Sequence, residues 1–439
     1  MAYREFGTAL DRRALLRGAG WLGAAGVLAA HPLGRAAWAK PPLAPAFPSV
    51  RAAIEEYVSS GKVANMLATF GWGQTPDPQV IARGTLALGG AAKADIDSLY
   101  RIYSMTKPLT GMCAMQLIDE GKMGLDQPLA EILPAFSEMK VQKTYDGSIA
   151  PDALEPAERP ITIRMLLTHT AGLGYSIIQQ GPIKTEYERL GLVPGQVTKL
   201  PLPELDRGKP VASLKAFADG LATVPLVLQP GTKFSYSVAL DLMGRVIEVI
   251  EGKPFDLVLK ERLIDPIGMT STFFRVPQSE VGRLTTNYGI LGGKPLPLDP
   301  ARGSVYLDEP AFPYGGAGLV SSPRDYDRFL RMLLGYGKID GKRVMGELAV
   351  RVGTSNILPK TVEIPAEGGM MGVTSYGAGG RVEGNAYGWG GAAGTAAFVD
   401  YDSGLRATLF TQYMPSEAYP IQGEFSDLVR QDLAAMTNG

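Results

Sequence analysis

The six residues Tyr103-Ser104-Met105-Thr106-Lys107-Pro108 join a strand-like segment, residues 99–103, to a helical segment that closes at Gly121. A serine in the first turn of a helix lies among unpaired backbone N–H groups and beside the positive end of the helix dipole. Lys107 follows three residues after Ser104, so it faces the same side of the helix about one turn away. The spacing predicts a hydroxyl and an amine within reach of each other, a pair suited to nucleophilic attack on a carbonyl.

The Ser-x-x-Lys pattern is weak by itself, because a serine before a helix is more often only an N-cap. The chain contains three copies of it: Ser59/Lys62, Ser104/Lys107 and Ser137/Lys140. Ser59 lies at the end of a predicted helix, and Ser137 lies in a predicted loop. Because only Ser104 has a strand before it and a helix after it, Ser104 is the candidate nucleophile.

Composition narrows the function classes. The chain has 439 residues, a net charge of −1 and 45% hydrophobic residues. A near-neutral chain lacks the basic surface that nucleic acid requires, so we expect no nucleic-acid partner. Cys113 is the only cysteine and there are two histidines, so neither an internal disulfide nor a zinc site of the usual Cys/His kind can be built. We expect no metal and no cofactor.

The N-terminus predicts export. Arg12-Arg13-Ala14-Leu15-Leu16 is a twin-arginine pattern, a short apolar stretch covers residues 18–30, and Ala37-Trp38-Ala39 is typical of a cleavage site. The apolar stretch is too short to span a bilayer comfortably. We expect a periplasmic or secreted protein that begins near Lys40 and makes no stable membrane insertion. The alternative is an ordinary amphipathic leader or a membrane anchor.

Removing this leader would remove His31 and leave His169 as the single histidine. A Ser-His-Asp hydrolase would have to use His169, which follows a predicted helix over residues 162–167. The chain also lacks the Gly-x-Ser-x-Gly pattern of the α/β-hydrolases. If a serine is the nucleophile, its base is expected to be a lysine or a tyrosine, with His169 in a structural role.

The order of elements predicts the architecture. Strands and helices at both ends and a mostly helical middle indicate an α/β fold of the α+β type, an antiparallel sheet flanked by helices and split by a mostly α-helical domain. The predicted parts are a signal peptide at 1–39, a linker at 40–48, an α/β domain at 49–103 and 301–439, and the helical domain at 104–300. Residues 181–210, rich in Pro and Gly, are expected to form a loop that acts as a lid or a substrate wall.

With these segments placed, residues 49–436 resemble the serine β-lactamase and penicillin-binding-protein superfamily, closest to its class C β-lactamase-like branch and, within that, to the family VIII carboxylesterases. The first motif is Ser104-Met105-Thr106-Lys107, the second is Tyr236-Ser237-Val238, and Trp389-Gly390-Gly391 takes the place of the third. The resemblance implies a β-lactamase/DD-peptidase-like fold, with Ser104, Lys107 and Tyr236 as catalytic residues.

Two departures from that pattern bear on the substrate. The β-lactamase second motif is Tyr-x-Asn, and here Val238 replaces the asparagine; the third is usually Lys-Thr-Gly, and here Trp389 replaces the lysine. The lysine would bind the carboxylate of a β-lactam or of a peptide C-terminus, and the asparagine would hold an amide side chain. Apolar side chains in their places favour neutral, apolar acyl groups. We expect Val238, Trp389, Gly390 and Gly391 to bind substrate.

The expected enzyme is a serine hydrolase that cleaves small-molecule carboxylic esters with small or medium apolar acyl groups. Ser104 would attack the carbonyl, Lys107 and Tyr236 would act as a coupled base, and water would release the acyl group. The backbone N–H groups of Ser104 and, by resemblance, Ala392 would form the oxyanion hole. Alternatives are a β-lactamase, a D-Ala-D-Ala carboxypeptidase or amidase, an acyltransferase with an alcohol acceptor, and a non-catalytic peptidoglycan-binding relative. The oligomeric state stays open.

Overall fold

The computed structural model describes residues 47–202, 208–364 and 370–437. The predicted signal peptide, with its twin-arginine and cleavage patterns, and most of the predicted linker lie outside these ranges. The helices are α1 Pro48–Ser59, α2 Thr106–Asp119, α3 Ile163–Leu167, α4 Gly181–Arg189, α5 Leu214–Leu221, α6 Ala239–Glu251, α7 Phe255–Leu259, α8 Asp265–Ile267, α9 Pro323–Leu334, α10 Glu347–Gly353 and α11 Ile421–Thr437.

The strands follow the same chain order. They are β1 Asn65–Trp72, β2 Gln79–Gly84, β3 Tyr100–Arg101, β4 Lys140–Gln142, β5 Leu154–Pro156, β6 Asn287–Leu291, β7 Lys294–Asp299, β8 Val320–Ser321, β9 Lys338–Ile339, β10 Lys342–Arg343, β11 Arg381–Glu383, β12 Ala386–Gly391, β13 Thr395–Asp400, β14 Leu405–Phe410 and β15 Tyr413–Met414. Within the described ranges no helix is both long and apolar enough to cross a bilayer.

The largest sheet joins the two ends of the chain. Its strand order is β11-β12-β13-β14-β1-β2, and each neighbouring pair is antiparallel. The central pair runs in register from Leu67 opposite Phe410 to Trp72 opposite Leu405. The predicted antiparallel sheet with flanking helices is therefore confirmed. The predicted domain boundaries at residues 104 and 300 stay predictions.

Helices cover both faces of this sheet. On one face α1 and α11 bury an apolar layer that includes Phe47, Ile54, Phe70 and Phe425. Phe47 falls in the predicted linker but is fully buried, and α1 begins at Pro48, where the missing N–H costs no helical hydrogen bond. On the other face α9 packs against β14 and β1 and leads into the largest core of the molecule.

Helix α2 passes through the centre of that core. Every residue from Thr106 to Ile118 is buried, so the helix has no solvent face and must be surrounded by other elements. Its neighbours include α6 and α10. It begins at Thr106, directly after a 3-10 turn, Tyr103–Met105. The 3-10 turn and the packing of neighbouring helices together hold the start of α2 in place.

The expected loop at residues 181–210 is partly wrong. It opens with α4, Gly181–Arg189, whose side chains Ile183 and Tyr187 are buried in the main core. Gly181 and Pro182 are compatible with the start of α4. Glycine readily adopts the positive φ of 65° found at Gly181, and proline is tolerated in the first turn of a helix, where Pro182 lies. The role of this region as a lid or substrate wall stays a prediction.

Candidate active site

Ser104 lies in the 3-10 turn between β3 and α2 and is half-buried, while Tyr103 and Met105 on either side of it are buried. Tyr103 has a φ of +40°, a backbone region that residues other than glycine rarely adopt and that clusters at functional sites. Buried packing holds it there, since its ring contacts Tyr306 edge-on. The turn therefore directs Ser104 away from the core while its neighbours stay anchored.

Lys107 is fully buried and points at this serine. Its Nζ lies 3.1 Å from Ser104 Oγ and 2.8 Å from the carbonyl oxygen of Gly316. The same nitrogen lies over the ring of Tyr236, 4.6 Å from the centroid. A neutral amine in this position could donate to the Gly316 carbonyl and to the ring, and keep its lone pair for the serine proton. The geometry therefore suits an amine that accepts a proton from Ser104.

Tyr236 is the second side chain that reaches the serine hydroxyl. Its hydroxyl lies 2.8 Å from Ser104 Oγ, and the Trp389 Nε1–H donates to the Tyr236 hydroxyl oxygen at 3.4 Å. Because indole is a donor only, the hydroxyl proton of Tyr236 remains available for Ser104. Tyr236 lies just before α6, which begins at Ala239, and Ser104 lies just before α2. Each residue is therefore positioned by the start of a helix. The structure thus brings together the three residues predicted as catalytic.

A glycine turn supports the lysine. Thr110 donates to the carbonyl of Gly315 at 2.6 Å, and the Gly316 N–H donates to Asp241 Oδ1 at 2.9 Å. A Cβ at Gly316 would collide with the Asp241 carboxylate, which explains the glycine. Burial raises the pKa of Asp241 to about 6, and the positive charge of Lys107 opposes that shift. Sequence reasoning missed Asp241, because no pattern links it to residues 104–107.

His169 lies behind Tyr236 and makes no hydrogen bond to Ser104. Its carbonyl accepts the Ser235 N–H at 2.9 Å, and its Nδ1 accepts the Ser237 N–H at 3.2 Å, so it holds both neighbours of Tyr236. The His169 and Tyr236 rings contact each other, with their centroids 4.7 Å apart. Burial, aided by the charge of Lys107, holds the pKa of His169 well below its usual value. A neutral, buried imidazole suits the structural role expected for it.

A cavity of about 370 Å³ opens above Ser104 and is lined by Tyr236, Trp389, Gly390, Gly391 and Ala392 among others. A Cβ at Gly391 would collide with the carbonyl of Ile102. The glycine therefore lets the end of β12 approach the turn that carries Ser104, which brings Ala392 to the same cavity as the serine. This placement is compatible with the predicted oxyanion hole.

Val238 behaves differently from the other predicted substrate-binding residues. It is fully buried in the main core, and it is absent from the lining of this cavity. Its backbone N–H donates to the carbonyl of Gly174, just before α6 begins at Ala239. The structure therefore does not bring Val238 to the substrate cavity, and its expected effect on substrate choice would have to act through packing.

Comparison with known proteins places this geometry in a family. The Beta-lactamase family model matches residues 61–429. Protein Rv1367c of Mycobacterium tuberculosis is 36% identical over 302 residues, which covers 69% of this chain and 70% of that protein. Esterase EstB of Burkholderia gladioli is 30% identical over 250 residues, covering 54% of this chain and 57% of the esterase.

Solved structures show the same fold. The structure of EstCE1, a hydrolase with promiscuous acyltransferase activity, has a TM-score of 0.68 at 23% identity and covers 87% of this chain and 97% of its own. Simvastatin synthase from Aspergillus terreus, in a mutant form, has a TM-score of 0.68 at 22% identity and covers 88% of this chain and 94% of its own. The predicted β-lactamase/DD-peptidase-like fold and the resemblance to the serine β-lactamase and penicillin-binding-protein superfamily are confirmed. Because the family model matches most of the described residues, the chain belongs to the beta-lactamase family of serine-hydrolase folds.

Proposed function

We propose that this chain is a carboxylesterase that cleaves esters through an acyl-serine intermediate on Ser104. The observation that carries the proposal is the position of Ser104 Oγ, which lies 3.1 Å from Lys107 Nζ and 2.8 Å from the Tyr236 hydroxyl. A hydroxyl between two groups that can exchange its proton is the arrangement that nucleophilic catalysis requires. The twin-arginine pattern supports export as part of this proposal, on the sequence alone.

The proposed reaction has two steps. Ser104 Oγ attacks the ester carbonyl while its proton passes to the Lys107–Tyr236 pair, and the backbone N–H groups of Ser104 and Ala392 stabilise the oxyanion. The intermediate collapses, the C–O bond to the alcohol breaks, and the alcohol takes the proton back from Tyr236. Water then attacks the acyl-serine with the same pair as base, which releases the acid and restores Ser104.

The cavity entrance favours apolar substrates. Ile177 is 44% exposed and Met371 is 50% exposed, and both line the cavity beside Trp389. Apolar side chains that keep this much exposed surface at a cavity gain free energy when an apolar group covers them. Relatives whose names describe esterases, among them EstB, support esters as the substrates.

The test is a p-nitrophenyl ester series of increasing acyl length, measured on wild type, Ser104→Ala and Ser59→Ala, with nitrocefin assayed in parallel. We expect hydrolysis of short and medium chains by wild type and Ser59→Ala, and none above background by Ser104→Ala. Equal ester rates for wild type and Ser104→Ala would refute the assignment. Rapid turnover of nitrocefin with poor turnover of every ester would instead favour the β-lactamase alternative.

A further inference from the structure

We propose that Arg381 forms an anion-binding subsite in the substrate cavity, so that the preferred ester carries a carboxylate away from the bond that is cleaved. This inference rests on the proposed esterase function and specifies its substrate class. It differs from the sequence-based expectation of a wholly neutral substrate, which followed from Trp389 standing where the third motif usually has a lysine.

Arg381 begins β11 and reaches the cavity from the strand beside the third motif. It pairs with Gly388 of β12, so its neighbour across the strands is the residue before Trp389. Its guanidinium carbon lies 5.8 Å from the centroid of the Trp389 ring, and it lines the same cavity as Ser104. Trp389 in turn donates to Tyr236, so two side chains connect this positive charge to the nucleophile.

The guanidinium of Arg381 is incompletely paired. Its Nη2 donates to the carbonyl oxygen of Met371. Its Nε is buried without a hydrogen-bond partner, and its Nη1, which keeps accessible surface, makes no hydrogen bond to any residue in the described ranges. No carboxylate of those residues lies within ion-pair distance of it. A half-buried cation with unused donors is stabilised by an arriving anion, and the planar fork of arginine matches a carboxylate.

A second arginine that lines the same cavity, Arg430, is paired with carboxylates and can be compared with Arg381. Arg430 of α11 contacts Asp427 Oδ1 at 2.5 Å and lies 3.9 Å from Glu383 Oε2. Its charge is therefore neutralised by the protein itself, whereas that of Arg381 is not. Glu383 and Glu417 also line the cavity, and neither forms an ion pair with Arg381. Arg430 is thus the natural control for Arg381.

The position of Arg381 beside the Trp389 ring would make the subsite selective for shape as well as for charge. The face of an indole attracts a guanidinium, so Trp389 keeps the side chain in place before substrate arrives. Little side-chain freedom is then lost on binding. An ester with an apolar body and a carboxylate at one end would contact Trp389 and Met371 along its length and Arg381 at its end. Such a substrate uses both the apolar and the charged lining of the cavity.

The experiment compares matched ester pairs on the full chain. On the acyl side, p-nitrophenyl hexanoate is compared with the mono-p-nitrophenyl ester of adipic acid; on the alcohol side, phenyl butyrate is compared with m-carboxyphenyl butyrate. In wild type we expect kcat/KM for the charged ester of one pair to exceed its neutral match by about tenfold or more. Arg381→Gln should remove that preference, Arg381→Lys should keep part of it, and Arg430→Gln should keep all of it.

The outcomes separate this inference from the proposed function. If no ester is cleaved, the proposed function fails. If neutral esters are cleaved and the charged-to-neutral ratio is the same in wild type and Arg381→Gln for both pairs, the anion subsite is refuted. Should Arg381→Gln not fold, competitive inhibition of wild type decides: benzoate must inhibit more strongly than benzamide, and equal inhibition overturns the proposal.

Discussion

Two copies of one four-residue pattern lie in opposite surroundings. Ser59 is the exposed last residue of α1, and Lys62, which follows the helix and is 39% exposed, pairs with Glu56 at 2.7 Å. Ser104 and Lys107 open α2, where the lysine is fully buried and its partners are a hydroxyl and a carbonyl. The third copy, Ser137/Lys140, is exposed at both residues. The Ser-x-x-Lys spacing alone therefore does not identify a nucleophile. What distinguishes Ser104 is the burial of its lysine and the contact of its hydroxyl with Tyr236.

Electrostatics explains the difference. The hydrogen bond from Lys62 to Glu56 raises the pKa of Lys62, so this amine holds its proton and cannot act as a base at neutral pH. Lys107 has no carboxylate at hydrogen-bond distance among the described residues, and its nearest acid, Asp241, is reached only through Gly316. Lys107 therefore contacts the proposed nucleophile, whereas Lys62 contacts a carboxylate.

The largest effect is expected at the lysines. Lys107→Ala removes the amine beside Ser104, so ester hydrolysis should fall by about a thousandfold or more. Lys62→Ala, which removes the same side chain from the exposed copy, should leave the rate within about twofold, because surface ion pairs contribute little. Steady-state kinetics on one p-nitrophenyl ester measures both. A similar loss in the two variants would show that spacing, and not environment, matters.

The next largest effect is expected at Tyr236. Tyr236→Phe removes only the hydroxyl that lies 2.8 Å from Ser104 Oγ and keeps the ring under Lys107, so the rate should fall by about a hundredfold. Tyr175, whose ring packs against that of Tyr236, gives a matched control as Tyr175→Phe. If Tyr236→Phe kept near-normal turnover, Lys107 alone would serve as the base.

A smaller effect is expected at His169. His169→Ala leaves the buried Ser237 N–H without its acceptor, so we expect a loss of stability of about 1–3 kcal/mol and only a modest loss of rate. His169→Asn should recover part of the stability, since asparagine tolerates the φ of +54° at this position and offers an oxygen acceptor. Thermal unfolding and ester kinetics are measured together. A well-folded but inactive His169→Ala would revive the serine-histidine alternative.

The smallest effect is a pH dependence at Asp241. Its pKa is raised by burial to about 6, so below that pH it gains a proton and its charge no longer supports the Gly316 turn under Lys107. We predict an acid limb in kcat/KM near pH 6 that Asp241→Asn removes, while His169, with its lowered pKa, contributes none. The pKa of Asp241 in the native state lies above the usual value of about 4. Between about pH 4 and 6 the native state therefore binds more protons than the unfolded state. The contribution of Asp241 to the free energy of unfolding is consequently lost as pH rises through 6.

Asp325 provides the control for that profile. Burial raises its pKa to about 6 as well. Asp325 lies in the first turn of α9, where its carboxylate accepts hydrogen bonds from Ser271 and Thr272, and it does not line the cavity that contains Ser104. Asp325→Asn should change how stability depends on pH and leave the acid limb of activity in place. An acid limb that survives Asp241→Asn unchanged would contradict the assignment.

The sequence could predict what local spacing dictates and could not predict what distant segments bring together. The pairing of Ser104 with Lys107 follows from helix geometry, and the antiparallel sheet follows from alternating strands. Asp241 and Arg381 could not be found in this way, because each meets the site only through tertiary contacts. Val238 shows the converse, since a residue at a motif position expected to bind substrate lies fully buried in the core.

Covalent labelling of Ser104 is the decisive test of the proposed nucleophile. Wild type is treated with a fluorophosphonate, and the modified peptide is identified by mass spectrometry; Lys107→Ala and Lys62→Ala are treated in parallel. We predict a label on Ser104 and none on Ser59 or Ser137, with labelling lost in Lys107→Ala and kept in Lys62→Ala. An unlabelled Ser104 in folded wild type, or equal labelling of Ser59, would contradict it.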